Sequence, residues 1–270
     1  MTFQEASHLL AQAGIEDASR EARHLLALAR GIELRCLIGT DVPPAAAARF
    51  ATLVARRAAR EPLAFIAGHA GFWTLDLEVG PATLIPRADS ETLIEAARAH
   101  ALDARLILDL GTGSGALLLA ALSEFPRAFG VGVDRVAAAA ALARRNARRN
   151  GLAERSAFLT GDWDTAIAGR FDIILINPPY IAESALAALQ PEVRDHEPHT
   201  ALAAGPDGLA AYRRLLPRLG ALLTSRGIAV LEIGEGQGED IARLVPPDLR
   251  LVEVRADLAC IPRAVVLTPA

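Results

Sequence analysis

From Arg105 onward the chain alternates between short apolar runs and longer stretches whose apolar positions recur every three to four residues. Seven of the runs read as buried strands: RLILDLG, FGVGVD, SAFLTGD, FDIILIN, GIAVLEIG, RLVEVRAD and AVVLT. Stretches such as GALLLAALSEF and RVAAAAALARRNARRNG, which keep helical spacing, separate the earlier ones. Strands alternating with helices predict an α/β fold: a doubly wound, mostly parallel seven-stranded sheet covered on both faces, with ligands outside the carboxyl ends of the strands.

The first 60 residues lack these runs. EASHLLAQAG and SREARHLLALARG each carry an apolar face that ends at a glycine, and PPAAAARFATLVARRAAR opens with prolines before taking up helical spacing. Residues 1–60 are therefore expected to form a small helical domain, either a plain bundle or a docking module. Over 61–85, PLAFIAGHAGFWTLDLEVG alternates and carries aromatics and glycines, as a β-hairpin linker does. LIPRADSETLIEAARAH then starts the α/β domain, 86–270, with Asp89 or Ser90 expected to cap a helix.

Composition narrows the classes. The 270 residues are 52% hydrophobic, enough for a sizeable core, although much of that is alanine. A net charge of −4 argues against a dedicated nucleic-acid binder. Every one of the 28 basic side chains is arginine, gathered into no single stripe. Cys36 and Cys260 stand far apart outside any CxxC spacing, so neither a disulfide framework nor a zinc site is expected. No signal sequence and no spanning run of about 18 apolar residues is read, which predicts a cytoplasmic protein without a membrane partner.

Two constellations carry chemistry. DLGTGSGA, residues 109–116, follows the first sheet strand and opens a helix, where glycines admit a close ligand and unpaired N–H groups face it. The second strand ends at Asp134, placed for a ribose diol. Gly111, Gly113 and Ala116 also satisfy the dinucleotide pattern, so a nicotinamide cofactor is a legal reading, but two features point elsewhere. Asp109 offers a carboxylate to a cationic ligand. In GDW, Asp162 and Trp163 can meet the amide edge and the face of an adenine, although Trp163 can equally be a core residue. Together these favour S-adenosylmethionine.

The other constellation is INPPY, at the end of the fourth sheet strand and so beside the end of the first. Two prolines hold the backbone in a narrow range and leave the Pro178 carbonyl without ladder pairing, while Asn177 supplies a second acceptor oxygen. A rigid pair of acceptors is suited to a planar NH2 group whose nitrogen must face a methyl donor, and Tyr180 can stack on the group that bears it. Alignment alone can lower such a barrier by up to roughly 7–11 kcal/mol. No metal or Ser/His nucleophile is required; His196 and His199 in EVRDHEPHT are read as loop residues.

LIPRADSE, DLGTGSGA, GDW, INPPYI, EPHTALAAGPDGL and LEIGEGQG together resemble the protein-(glutamine-N5) methyltransferases that modify peptide chain release factors, over most of the chain. The resemblance implies a class I S-adenosylmethionine-dependent methyltransferase fold with a small N-terminal helical domain that docks the substrate. It implies methyl transfer to the glutamine amide of the Gly-Gly-Gln motif of class 1 release factors, by a monomer. Asp109, Gly111, Thr112, Gly113, Ser114, Gly115, Asp134, Asp162, Trp163 and Asn177 would bind the cofactor. Asn177, Pro178, Pro179 and Tyr180 would hold the glutamine, with Asn177, Pro178 and Tyr180 catalytic.

Two departures stand out: IPRADSE in place of IPRPDTE, and IPRAV near the end in place of DRV, where Ile261-Pro262 displaces the acid, so that the resemblance assigns no role to Arg263 or the final hairpin. Adenine N6 methylation of nucleic acid is the competing activity, since NPPY is shared with such enzymes; it predicts a basic groove or recognition domain, which the acidic balance and a small helical N-terminus do little to support. A non-catalytic module that merely holds release factors is the third reading, and the intact NPPY counts against it.

Overall fold

All seven apolar runs become strands, and their alternation decides which side chain faces which layer. A computed structural model describes residues 1–101 and 103–270, which divide into two units. The N-terminal unit is Met1–Gly68 together with Gln190–His196. Its helices are α1 (Phe3–Gln12), α2 (Ala18–Arg30), α3 (Pro44–Ala58) and α4 (Leu63–Ala67). Thr2 closes a reciprocal capping box with Glu5, and Gly31 ends α2 at φ 67°, the left-handed conformation that a side chain would resist. Leu10, Leu25, Leu26, Phe50 and Val54 are fully buried in this unit's own core. The segment Leu63–Ala67, expected within a hairpin, is a short helix, and pairing begins only at His69. Its LAFIA run carries no turn residue until Gly68, which ends it at φ 79°.

The second unit opens with the hairpin β1 (His69–Phe72) and β2 (Leu75–Glu78), then α5 (Glu91–His100). Next come β3 (Leu106–Leu110), α6 (Ala116–Glu124), β4 (Phe129–Asp134), α7 (Ala137–Arg149), β5 (Ser156–Thr160) and β6 (Phe171–Ile176). Helix Pro191–His196, in the N-terminal unit, is α8 in chain order. It is followed by α9 (Ala210–Leu222), β7 (Leu223–Glu232), α10 (Gly238–Leu244), β8 (Leu249–Ala256) and β9 (Pro262–Pro269). The sheet order is β5-β4-β3-β6-β7-β9-β8, parallel except where β9 runs antiparallel to both neighbours.

Along β6, Ile173 and Leu175 enter the core layer formed by α5 and α6, while Ile174 and Ile176 enter the layer formed by α9. A strand buried on both faces can tolerate apolar residues at every position, which is why these runs show no polar alternation. Because β3 lies between β4 and β6, the chain reverses its winding at β3, and a crevice opens past the carboxyl ends of β3 and β6. Leu110 pairs with Ile176 there, so the glycine loop and NPPY leave the sheet side by side.

Candidate active site

The crevice holds a cavity of about 580 Å³ within the second unit. Asp109, Gly111, Thr112, Gly113, Ser114, Asp134, Asp162, Trp163, Asn177 and Pro179 all line it. Gly115 and Pro178 do not lie on its wall, and neither does Tyr180. Gly115 takes φ 84° at the start of α6, and a Cβ there would come within 3.1 Å of Ala143 Cβ, so its demand is helix packing. Thr83, Arg87 and Ser90 also face the cavity, though sequence reasoning assigned none of them to a ligand.

The glycine loop is held from below by two acids. Asp134 accepts the Gly113 N–H at 2.9 Å on one carboxylate oxygen and the Val136 N–H at 2.8 Å on the other. Each oxygen has two lone pairs, so one on each remains for a diol. Asp109 is 1% exposed; its Oδ2 accepts the Thr112 hydroxyl at 2.6 Å and its Oδ1 is buried and meets no donor among the described residues. Burial first, and then the charge of Asp134, push this carboxyl up to about 7, against the pull of the Thr112 hydroxyl and, less strongly, of the Leu118 backbone N–H. Thr83, 2% exposed, also leaves its hydroxyl unpartnered. Thr83 packs beside the loop: a Cβ on Gly113 would lie 3.9 Å from its own Cβ.

Trp163 adopts φ 56° and lays its ring along Gly111, where a Cβ would come within 3.2 Å of Cζ3. A glycine is therefore required at 111 twice, for φ 80° and for the ring. Asp162 lines the same wall, although its carboxylate accepts from Arg214 at 2.7 Å.

At the NPPY turn, Asn177 Nδ2 lies 3.1 Å from Ser90 Oγ. Ser90, expected as a helix cap, makes no cap hydrogen bond; its backbone is already helical and its hydroxyl lies 2.5 Å from Glu232 Oε2. Tyr180 donates to Glu232 Oε1 at 3.1 Å, and Tyr212 donates to the Glu232 carbonyl at 2.8 Å. Among the described residues no hydrogen bond ends on the Pro178 carbonyl.

The flanking motifs explain themselves as supports. Glu197 of EPHTAL is buried and accepts the Ile85 N–H at 3.0 Å and the Arg87 guanidinium, tying the two loops that wall the cavity. Gly208 of PDGL sits at φ 77° with space for a Cβ only 2.5 Å from the Tyr180 carbonyl. Arg263, whose partner the sequence did not reveal, meets Asp257 at 3.1 Å and Asp89 at 3.5 Å, so it joins the last hairpin to LIPRADSE.

Residues 2–68 match the PrmC N-terminal domain model and residues 87–193 the methyltransferase small domain model. The chain is 45% identical over 256 residues to a release factor glutamine methyltransferase of Rhodospirillum rubrum, covering 92% of this chain and 78% of that one. A relative of the same name from Cereibacter sphaeroides is 46% identical over 253 residues, covering 92% and 90%. Among solved structures, the hMettl16 catalytic domain, in complex with an RNA hairpin, superposes with a TM-score of 0.56 at 15% identity over 90% of this chain and 92% of that one. A Thermus thermophilus 16S rRNA methyltransferase in complex with AdoMet and guanosine gives 0.53 at 20% identity, over 75% and 50%. At such identities the two structures speak for the fold.

Proposed function

The chain belongs to the release factor glutamine methyltransferase family, and from that premise we propose how its cavity is used. It transfers a methyl group from S-adenosylmethionine to the side-chain amide nitrogen of the glutamine in the Gly-Gly-Gln motif of class 1 peptide chain release factors. The observation that carries this reading is the adjacency of two half-sites: acids and glycines at the end of β3, and the Asn177 amide and Pro179 at the end of β6, in one cavity.

The wall fits the cofactor. The unpartnered Asp109 Oδ1 suits an ammonium group, and the unpartnered Thr83 hydroxyl beside the loop suits a carboxylate, so the two orphaned atoms together match a zwitterionic amino acid end. Asp134 retains the lone pairs a ribose needs, and the Trp163 ring offers a face to a purine. When bound, S-adenosylmethionine supplies an electrophilic methyl group on a sulfonium.

The chain's own residues then orient the acceptor amide. Asn177 Oδ1 and the Pro178 carbonyl take the two N–H bonds of the glutamine, which turns the amide plane and stabilises positive charge growing on nitrogen. Pro179 forms the adjoining wall, and Tyr180 is held by Glu232 at the edge of the turn. Neither Asn177 nor the prolines can remove a proton, so their part is positioning and charge stabilisation, and the proton that the methylated nitrogen sheds would pass to water. The N-terminal unit docks the release factor, and the protein acts as a monomer in the cytoplasm. Among the described residues no helix is long and apolar enough to cross a membrane.

The test is methyl transfer from labelled S-adenosylmethionine to a release factor, with the labelled peptide identified by mass spectrometry. Label is expected on the Gly-Gly-Gln peptide and lost when its glutamine is replaced by alanine. Equal labelling of both factors would overturn the assignment.

A further inference from the structure

The Asn177 amide has two ends, and only one of them suits a glutamine NH2. Which end faces the cavity is decided by Ser90 and by Glu232 behind it. The Ser90 hydroxyl has one proton to give, and it lies 2.5 Å from Glu232 Oε2, an acceptor with no proton of its own when ionised. Ser90 can therefore meet Asn177 only as an acceptor, and the group 3.1 Å from it must be the Asn177 NH2. That leaves Asn177 Oδ1, on which no hydrogen bond from a described residue ends, as the open end of a side chain that lines the cavity.

We propose that Ser90 and Glu232 are positioning residues that lock Asn177 with its oxygen toward the substrate, and so set the selectivity for a carboxamide over a carboxylate. The inference rests on the reading of Asn177 as the glutamine-binding residue. Turning the amide over would set Oδ1 against a Ser90 lone pair in a buried place, where Ser90 is 3% exposed and Glu232 2%. The same carboxylate takes the Tyr180 proton on its other oxygen, so one group orients two members of NPPY.

Every neighbour of Glu232 bears on its charge. Burial pushes its carboxyl up, the hydrogen bonds from Ser90 and Tyr180 and the nearby Arg263 pull it down, and Asp89 pushes it up. Tyr212 occupies its backbone carbonyl and donates nothing to the carboxylate. Once protonated, Glu232 has a hydrogen to give to Ser90, which frees the Ser90 proton and lets the amide turn. Selectivity for glutamine is thus a property of the ionised state.

Two release factors decide the matter, one with glutamine and one with glutamate in the Gly-Gly-Gln position, titrated into the protein by calorimetry with S-adenosylhomocysteine present. The wild-type protein is expected to bind the glutamine factor and to reject the glutamate factor, whose carboxylate has no N–H to offer two acceptors. Ser90→Ala frees the amide and is expected to narrow the ratio of the two affinities by about tenfold or more. A cooperative urea unfolding transition reports that the variant is folded. Ser90→Thr keeps the hydroxyl and should restore the wild-type ratio.

If Ser90→Ala weakens both factors equally, or changes neither, the lock is refuted while the assignment of the glutamine site stands. If the wild-type protein distinguishes the factors no better than the alanine variant, the lock is refuted as well. Binding of neither factor by the wild type would instead overturn the functional reading itself, and the lock with it.

Discussion

Asp109 accepts the Thr112 hydroxyl at 2.6 Å on one oxygen and keeps the other buried and unpartnered. Such a carboxyl prefers its proton while the cavity is empty of a cation, and burial pushes it up to about 7. Between pH 4 and 7, roughly, the unfolded chain has lost this proton and the folded chain keeps it, so stability falls as pH rises through that window. The full cost above the window is roughly 4 kcal/mol at about 1.36 kcal/mol per pH unit. Urea unfolding of the cofactor-free protein at pH 5 and pH 8 should show the fall, and Asp109→Asn should flatten it.

The same carboxyl predicts a proton balance. An ammonium group favours the ionised form, so cofactor binding at pH 6 should expel a proton and weaken as pH drops below about 7. Calorimetry of S-adenosylhomocysteine binding in two buffers of different ionisation enthalpy measures that proton directly. Release should disappear in Asp109→Asn; a proton count of zero in the wild type would mean that Asp109 does not meet the ammonium.

Trp163 and Gly111 share one wall, and stacking of a base on an aromatic side chain is worth about 1–3 kcal/mol. Trp163→Ala should therefore weaken S-adenosylhomocysteine by about 5- to 150-fold, with little effect on the unfolding midpoint because the ring is only half-buried. Gly111→Ala should be at least as harmful to binding, since it strains a φ of 80° and drives a methyl group into the ring. An unchanged affinity in either variant would remove Trp163 from the nucleoside site.

The sheet and the glycine loop were legible because their determinants are local. A strand such as FDIILI announces itself within six residues, and DLGTGSG places its glycines between a strand and a helix. Ser90 was not legible in this way. Its locally sensible role was a helix cap, but its hydroxyl belongs to Glu232, 142 positions later, and nothing short-range encodes that preference. Thr83 has no motif at all; only its burial, without a partner, marks it. Gly115 reads as a ligand residue by pattern, whereas its close neighbour is Ala143 of the next helix. Leu63–Ala67 satisfied both a strand and a helix pattern, and five apolar residues cannot separate the two by periodicity.

Gly208 supports the catalytic turn from behind. A methyl group there would approach the Tyr180 carbonyl to 2.5 Å and the Ala182 nitrogen to 3.3 Å, both backbone atoms that cannot swing aside. Gly208→Ala should cost about 2–3 kcal/mol of stability through strain and displacement. Its larger effect should be on turnover, because the carbonyl it moves follows directly on the prolines. A variant with wild-type kcat/KM would show that the turn tolerates movement, contrary to the rigid alignment argued for Asn177 and Pro178.

In the N-terminal unit, Arg57 is a guanidinium almost wholly out of water, held by Glu21 and, at 2.8 Å, by Glu192, which also binds Arg60 at 2.6 Å. Glu192 arrives from 135 positions later in the chain, so it fastens Gln190–His196 to the helices of this unit. Removing one partner of a buried pair leaves an uncompensated charge, and Glu192→Ala should cost about 3 kcal/mol, moderated by the remaining Glu21. Burial raises the Glu192 carboxyl, but Arg60 and Arg57 bring it below its ordinary value. Its contribution is therefore present above about pH 4.5 and is lost as pH falls through the lowered value. Chemical denaturation of the Glu192→Ala, Arg60→Ala and double variants at pH 7 gives the coupling, expected at about 1–2 kcal/mol for neighbours in one network. Additive costs at pH 7 would mean that Glu192 acts through Arg57 alone.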